Sequence, residues 1–246
     1  PHPKGYFAIG AERMSKSLNL GNLMRSAHAF GASFTFTVGA TYKAVEAHAD
    51  TSKSQLHLPH YNWATLDDSW FDVYGDWNPR VDTFPDDSIK KMVDEYHRNG
   101  IYVQLWWLPL AVEWKGPKYD GETYVESNVV KEHPDWLVLD QDGKPAKMSR
   151  QLEILCPALP EVQDYYRHLT EKFIRDWGFD GHKLDNVFSI APCYNPKHHH
   201  KSPQDSVNAM GEVFKVIYET TKALKLYAVT QTCPCGTPPN IAWLPF

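Results

Sequence analysis

Asp185 and Lys183 lie two residues apart in the segment FDGHKLDNVF, and Asp185 stands at the C-terminal end of a strand predicted there. Side chains two residues apart on a strand point to the same face, so a carboxylate and an ammonium group meet there. The positive charge keeps the carboxylate ionised at neutral pH, as a nucleophile that attacks the anomeric carbon of a sugar requires. A structural ion pair is the alternative, and the spacing alone leaves both interpretations open.

A second acidic pair, Asp67 and Asp68, follows a short strand-like segment and precedes a turn-rich loop. Adjacent residues on an extended chain point to opposite sides, so only one of the two carboxylates can face a pocket squarely. The pair could accept hydrogen bonds from sugar hydroxyl groups or could cap a turn, which is the commoner role of such residues.

The residues that could bind a metal ion are the histidine run KHHHK at 197–201 and four cysteines, Cys156, Cys193, Cys233 and Cys235. No Asp, Glu or Cys lies at ligand spacing from the histidines, so the run is typical of a surface loop. The cysteines form no CxxC pair, which predicts neither a disulfide framework nor a zinc module. We therefore predict no metal and no cofactor.

The elements that must position these residues alternate between strand and helix. A strand at 6–10, a helix at 20–30 closed by Gly31, and a strand at 34–38 form one βαβ unit. A second series follows, with helices at 87–98, from Pro160 to 177 and at 202–224, and strands at 101–110, 179–185 and 226–233. Its first helix places Ile89, Met92, Val93 and Tyr96 on one face.

This alternation predicts an α/β fold with parallel strands, namely a partial (β/α)8 barrel of the TIM type comprising about strands 2–5, preceded by the βαβ unit. About six strands are recognised in all. An incomplete barrel has an open edge with unpaired strand groups, which predicts self-association through that edge. Pairing of the βαβ unit with the next strand would cover the edge in part.

Residues 66–246 carry five ordered motifs that together resemble the melibiase-type α-galactosidases of glycoside hydrolase family 36. The motifs are LDDSWFDVYGDW, FPDDSIKKMVDEYHRNGIYVQLWWLPL, EHPDW, WGFDGHKLDN and TQTCPCG. The resemblance implies a retaining glycoside hydrolase for α-galactosides, with Asp185 as the nucleophile. It further implies that Lys183, Asp67 and Asp68 bind galactose hydroxyl groups.

The same resemblance implies that Trp77 and Trp107 form aromatic walls and that Cys233 contacts the substrate. Two positions depart from the family pattern: CPCGTPP replaces the usual glycine-rich run after the fifth strand, and Ser69 replaces a glycine. The resemblance places the acid/base residue on a later strand, whereas no Asp or Glu follows Glu219. We therefore expect poor hydrolysis of unactivated galactosides, and a non-catalytic galactoside-binding remnant is an alternative.

Residues 5–63 resemble the N-terminal part of SpoU-type RNA 2′-O-methyltransferases through the motif NLGNLMRSAHAFGA. The resemblance implies that Asn19 and Arg25 contact a target ribose or phosphate, which makes an RNA methyltransferase fragment a further alternative. The family's methyl-donor motifs are missing from the sequence, so we expect no activity. An ordinary helix with an exposed Arg explains the motif equally well. The predicted domains are 1–65 and 66–246, joined by fusion or assembly.

The composition excludes several classes of function. The 246 residues are 42% hydrophobic, enough for a full core. A net charge of -5 and a pI near 6.2 make nucleic acid an unlikely partner and give no basis for binding an anionic membrane surface. No apolar run reaches the length of a membrane span. The scarce cysteines predict a reducing, cytoplasmic location.

Overall fold

The computed structural model describes residues 7–39, 60–114, 125–185 and 190–232, in which strands and helices alternate along the chain. Two units are distinguished. The first comprises residues 1–65 and 94–104, and the second comprises residues 66–93 and 105–246. This division differs from the predicted domains in the segment 94–104, which holds the end of one helix and the start of one strand.

The first unit is built on parallel strands in the order β1-β2-β3-β4. Its elements are β1 (Ala8–Glu12), α1 (Ser17–Ala29), β2 (Phe34–Val38), β3 (His60–Leu66) and the first part of β4 (Ile101–Trp107). The strands β1 and β2 pair in parallel, with Ala8 opposite Phe34, and β2 pairs in parallel with β3, with Thr35 opposite His60. The N-terminal βαβ unit therefore does pair with the strand that follows it, as expected.

Helix α1 covers this sheet with one apolar face. Leu20, Met24 and Ala27 are fully buried at helical spacing, whereas Phe30 at the end of the helix is exposed. On the sheet itself, Gly10 allows the ring of Phe36 to lie across β1. A Cβ atom at Gly10 would fall 2.2 Å from Cζ of Phe36, so any larger residue would displace the ring.

The second unit continues from β4 to the neighbouring strands β7 and β8. Helix α2 (Ser88–Arg98) begins in this unit and ends in the first. The other elements are β5 (Ala111–Val112), α3 (Asn128–Glu132), β6 (Glu153–Ile154), α4 (Pro160–Glu171), a π-helical turn (Lys172–Asp176), β7 (Gly181–Leu184), α5 (Asp205–Asn208), α6 (Met210–Leu224) and β8 (Val229–Thr232).

Glycine is required where β7 meets β8. The two strands pair in parallel with Gly181 opposite Val229, and a Cβ atom at Gly181 would lie 2.0 Å from the carbonyl oxygen of Val229. Pro160 opens α4 at its first turn, where a missing backbone N–H costs no hydrogen bond. Among the described residues, no helix is long and apolar enough to cross a membrane.

A buried polar network holds the outward face of β7. His182 is fully buried, and burial lowers its pKa from 6.5 to about 3, so the ring is neutral at pH 7. The indole N–H of Trp107 donates to Nδ1 of His182 at 3.1 Å, which places the ring proton on Nε2, 3.0 Å from the hydroxyl of Thr221. That hydroxyl donates to the carbonyl of Ile217 at 2.7 Å. Strand β7 is thereby fixed to β4 and α6.

Candidate active site

The predicted acidic residues belong to the second unit, and each follows the carboxyl end of a strand. Asp67 and Asp68 follow the last residue of β3, and Asp185 follows the last residue of β7. The backbone N–H of Asp185 donates to the carbonyl of Trp107 at 3.1 Å, which ties the residue to the end of β4. In barrels of alternating strands and helices, this end of the sheet carries the functional loops.

Lys183 contacts the first residue of the acidic pair. Its Nζ atom lies 2.7 Å from Oδ2 of Asp67, and both side chains remain partly open to solvent. Lys183 and Asp185 lie on one face of β7. His182, which precedes Lys183, and Leu184, which lies between the two charged residues, are buried on the other face. The sequence-based expectation of a common face is therefore met, but the ammonium group of Lys183 bonds to Asp67.

The cation beside Asp185 is Arg150, which the sequence analysis did not identify. Its guanidinium group donates to Oδ2 of Asp68 at 2.6 Å and to the hydroxyl of Tyr74, and one nitrogen lies 4.0 Å from Oδ2 of Asp185. Three carboxylates and two cations thus form one polar cluster, defined here as Asp67, Asp68, Arg150, Lys183 and Asp185. We call it the carboxylate cluster.

Arg150 is presented by a tight loop with an unusual backbone. Arg150 and Gln151 both adopt positive φ, +60° and +62°, a conformation that persists only when surrounding contacts enforce it. The loop is closed by a hydrogen bond from the N–H of Met148 to the carbonyl of Leu152 at 2.8 Å. The ammonium group of Lys147 bonds to the carbonyl of Gln151 and, at 2.7 Å, to the buried carboxylate of Glu153.

The guanidinium group of Arg150 is positively charged at neutral pH. Burial acts to lower the pKa of its guanidinium group, but the hydrogen bond to Asp68, the negative charge of Asp68 and the hydrogen bond to the hydroxyl of Tyr74 raise it overall. The guanidinium group also lies 5.3 Å from the ring centre of Trp106. A planar cation stacked on an aromatic ring and bonded to a carboxylate is held in one orientation.

Trp106 is the aromatic residue in contact with Asp185. Its indole N–H donates to Oδ2 of Asp185 at 3.2 Å, so the carboxylate has a fixed donor in addition to the nearby guanidinium group. Trp77 and Trp107, which the family resemblance placed as walls of a sugar site, are both completely buried, with ring centres 6.0 Å apart. They belong to the aromatic core beneath the cluster. Alternation along β4 turns Trp106, rather than Trp107, towards Asp185.

The remaining predicted positions are located as follows. Ser69 has φ +73°, in the left-handed region that favours glycine, which explains why a glycine is expected there. Cys233 lies outside the described residues. Asn19 and Arg25 lie on the exposed side of α1, and the side chain of Arg25 bonds to Asn22. They lie in the first unit, whereas the carboxylate cluster belongs wholly to the second.

This arrangement has the chemical capacity to bind and attack a sugar. The exposed carboxylates and cations of the cluster form hydrogen bonds with one another. The same groups can instead form hydrogen bonds with the hydroxyl groups of a ligand. One oxygen of Asp185 lies 3.2 Å from the indole nitrogen of Trp106 and 4.0 Å from a guanidinium nitrogen of Arg150. A carboxylate at the end of a strand, flanked by groups that can bind hydroxyls, has the placement that a retaining glycosidase requires of its nucleophile.

Comparison with known proteins relates the chain to one family. A family model described as Melibiase matches residues 47–237. The chain is 32% identical over 192 residues to the A type blood α-D-galactosamine galactosaminidase of Flavonifractor plautii. The match covers 74% of this chain and 17% of that relative, so the chain spans a minor part of the relative's length.

Solved structures share the fold at low sequence identity. A variant of the GH36 α-galactosidase AgaA of Geobacillus stearothermophilus, solved in complex with raffinose, matches with a TM-score of 0.58 and 14% identity over 98% of this chain and 30% of that chain. The α-galactosidase of Lactobacillus brevis matches with a TM-score of 0.53 and 18% identity over 94% and 27%. These matches support the partial barrel. Because they cover nearly the whole chain, the fold of the N-terminal βαβ unit needs no second family to explain it.

Proposed function

The chain belongs to the Melibiase family, and on that premise we propose that it carries the nucleophile and the sugar-binding groups of a retaining glycosidase for α-galactosides or α-galactosaminides. The observation that supports this most directly is the carboxylate cluster. Asp185 stands 4.0 Å from a guanidinium group that also binds Asp68, and Lys183 binds Asp67 at 2.7 Å. Together these residues offer one attacking oxygen and four groups that can bind hydroxyls.

In the proposed reaction, an oxygen of Asp185 attacks the anomeric carbon of the sugar. A bond forms between that carbon and the carboxylate as the bond to the leaving oxygen breaks, which gives a covalent glycosyl ester with inverted configuration. Water then attacks the same carbon from the opposite side, the bond to Asp185 breaks with a second inversion, and the proton of the attacking water is lost to solvent. Arg150 and Trp106 orient the carboxylate before the attack.

The identity of the sugar is proposed from the relatives. One is named for α-galactosamine and another was solved with raffinose. Both names point to a galactose ring with an axial α-linkage, and they differ at the second carbon. We therefore propose a galacto-configured sugar. The assay below compares the two substituents at the second carbon.

The test uses an aryl α-galactoside whose leaving group departs without a proton. Such a substrate needs only the nucleophile, so it reports on Asp185 independently of any acid. The chain is incubated with the substrate, quenched in acid and digested, and the modified peptide is mapped by mass spectrometry. We expect a glycosyl group on Asp185, and the matching α-galactosaminide is run in parallel to compare the two sugars.

Asp185→Asn is the matched variant, because it preserves the shape of the side chain and removes the attacking charge. It should give no labelled peptide and should still bind the sugar through Asp67, Asp68 and Lys183. Asp164→Asn, a change to a half-exposed carboxylate on α4, serves as the control and should label normally. Labelling of a different residue, or equal labelling in Asp185→Asn, would overturn the assignment.

Sugar binding without any labelling would instead support the alternative of a galactoside-binding remnant. The carboxylate cluster permits that outcome, since its hydroxyl-binding groups do not depend on the reactivity of Asp185. Isothermal titration of the chain with galactose and with galactosamine separates the two cases. For the RNA methyltransferase alternative, the described residues place Asn19 and Arg25 on the exposed side of one helix.

A further inference from the structure

We propose that the second unit contains a structural zinc site formed by Cys156, Cys193, His198 and His200. The ligand atoms of these four residues, two sulfurs and two ring nitrogens, all lie within 4.8 Å of one another. In a tetrahedral zinc site of this composition, the ligand atoms are about 3.3 to 3.8 Å apart, as follows from bond lengths of roughly 2.3 Å to sulfur and 2.1 Å to nitrogen. Only small movements are needed to enclose the ion.

The cluster is assembled from two separate loops. Cys156 follows β6 and Cys193 follows β7, and both are free thiols that are completely buried. Of the histidine run, His198 is buried, His200 is partly buried and His199 is exposed. The two histidines near the thiols are therefore the more buried ones, and the histidine between them is in solvent. This pattern is expected if the run contributes to the cluster, and it differs from that of a loop that is exposed throughout.

His198 is oriented as a metal ligand would be. One ring nitrogen, Nε2, lies 2.7 Å from the backbone carbonyl of Asp135, which can only accept a hydrogen bond. The ring proton therefore lies on Nε2, and the lone pair of Nδ1 points to Sγ of Cys193 at 3.2 Å. Metal-bound histidines commonly donate their second nitrogen to a backbone carbonyl or a carboxylate in this manner.

The second histidine carries an independent indication. Nε2 of His200 is buried and has no hydrogen-bond partner among the residues that the structure describes. A buried ring nitrogen without a partner costs free energy unless a ligand satisfies it. Coordination of an ion by Nε2 would supply that partner.

The surrounding backbone is already rigid. The N–H of Cys193 donates to the carbonyl of Pro203 at 2.9 Å, and the N–H of Cys156 donates to the carbonyl of Trp136 at 2.8 Å. The buried side chain of Asn195 donates to the carbonyls of Asp135 and Leu137, so the turn that leads to His198 is anchored to the same segment that receives the His198 ring. A preorganised set of ligands loses little entropy when the ion binds.

Charge and donor type select the ion. Two thiolates and two neutral imidazoles balance the charge of a divalent ion, which suits a buried site. Soft sulfur together with imidazole nitrogen favours Zn²⁺ over Mg²⁺ or Ca²⁺, and four protein ligands leave no open position for chemistry. Binding transfers the two thiol protons to solvent. A cleft of about 690 Å³ provides access, and its lining includes His198, His200, His133, Asp135 and Lys197.

The first experiment measures metal content. The 246-residue chain is purified with a reductant and with Zn²⁺ in the growth medium, and zinc is determined by elemental analysis. We expect about one zinc per chain, with near-complete loss in Cys193→Ser and in His198→Ala. His199→Ala is the matched control from the same run and should retain zinc. The pair Cys233→Ser and Cys235→Ser removes the other two thiols and should also retain it.

The second experiment guards against misfolded variants. Zinc is removed from the unaltered chain with a chelator, retention of the fold is checked by circular dichroism, and Co²⁺ is added as a spectroscopic probe. A tetrahedral site with two thiolates should give sulfur-to-cobalt charge-transfer bands and intense visible bands. Re-addition of Zn²⁺ should raise the midpoint of thermal unfolding by roughly 5 to 10 °C, whereas Mg²⁺ should not change it.

Two results would overturn the proposal. Cobalt spectra without charge transfer from sulfur would show that the thiols do not bind the ion. A disulfide between Cys156 and Cys193 that persists in the purified chain, with no zinc present, would show that the pair serves a redox or covalent role. The outcome is independent of the proposed hydrolase function, because labelling of Asp185 does not report on zinc content.

Discussion

The second unit holds two polar clusters that the chain assembles in different ways. The carboxylate cluster stands at the ends of β3 and β7, with its acidic residues partly open to solvent. The zinc-site cluster of two thiols and two imidazoles is largely buried and is built from loops. The carboxylate cluster presents charged groups to an incoming ligand. The zinc-site cluster has the donor atoms to hold a metal ion whose charge balances that of the two thiolates.

The comparison separates two uses of buried and exposed charge. Opposite charges that remain hydrated can exchange partners when a ligand arrives, at little cost. Buried thiols and imidazoles can satisfy one another only in a fixed geometry, so they stabilise one arrangement of the loops. We therefore expect substitutions in the carboxylate cluster to affect activity first, and substitutions in the zinc-site cluster to affect stability first.

After loss of the nucleophile itself, the largest effect is expected from Arg150→Ala. The change leaves Asp68 without its partner and removes the cation nearest to Asp185, so kcat/KM for an aryl α-galactoside should fall about 30- to 1000-fold, equivalent to roughly 2 to 4 kcal/mol. Arg150→Lys keeps the charge but cannot reach three partners with one planar group, so it should show an intermediate loss. Steady-state kinetics provide the measurement.

Arg167→Ala is the control for that substitution. Arg167 lies on the exposed side of α4 and pairs with Asp164, three residues earlier, an arrangement that contributes little. Its removal should change kcat/KM by less than about twofold. An Arg150→Ala chain whose kinetics resemble those of Arg167→Ala would show that Arg150 is not part of the site.

The next prediction compares one substitution from each cluster in assays of stability, zinc content and labelling. Cys193→Ser should lower the thermal midpoint of the zinc-loaded chain by roughly 5 to 10 °C. It should leave the rate of Asp185 labelling at low temperature within about twofold, whereas Arg150→Ala should retain one zinc per chain. Loss of labelling and zinc together in both variants would mean that the clusters act as one.

A smaller effect concerns the pH dependence of stability, through His182. Its pKa is about 3 in the folded chain and 6.5 when exposed, so the unfolded state binds the extra proton between those values. Its contribution to stability is complete above pH 6.5 and is lost as the pH falls towards 3. At pH 5 the loss should be about 2 kcal/mol relative to pH 7.

Urea unfolding at the two pH values measures that loss. His182→Gln keeps a donor and an acceptor for Trp107 and Thr221 but does not titrate. The variant is therefore expected to lose about 2 kcal/mol less than the unaltered chain between pH 7 and pH 5, even if its stability at pH 7 is lower. Equal pH dependence in both chains would show that the His182 ring is hydrated or protonated in the folded state.

Local patterns predicted most of the fold. The alternating strand at 34–38 has the predicted bounds, and Ile89 and Val93 of α2 are buried as their helical spacing requires. The strand predicted to reach residue 110 ends at Trp107 instead. Pro109 cannot donate a strand hydrogen bond, and Leu110 adopts φ +71°, so the chain turns there. The predicted helix at 202–224 is divided at Ala209 into α5 and α6.

Contacts between distant loops could not be predicted in the same way. Asp185 and Lys183 were identifiable because two-residue spacing on a strand determines their common face. Arg150 is 82 residues from Asp68, and no periodicity links them. The sequence interpretation of the histidine run gave no weight to Cys193, five residues before His198, and the fold also brings in Cys156 from a loop more than 40 residues earlier than His198.

The smallest effect is expected at Ser69, beside the carboxylate cluster. Its φ of +73° costs a non-glycine residue roughly 1 kcal/mol, and glycine avoids this cost but loses more entropy on folding. Ser69→Gly should therefore raise the thermal midpoint by about 1 to 3 °C. Gly143→Ala is the control, because it makes the opposite change at another position with positive φ. Gly143 has φ +74°, and a Cβ atom there would meet nothing within 4 Å, so only the backbone cost is added. That variant should lose about as much stability as Ser69→Gly gains, and a loss of stability in both would mean that Ser69 contributes contacts that outweigh its backbone strain.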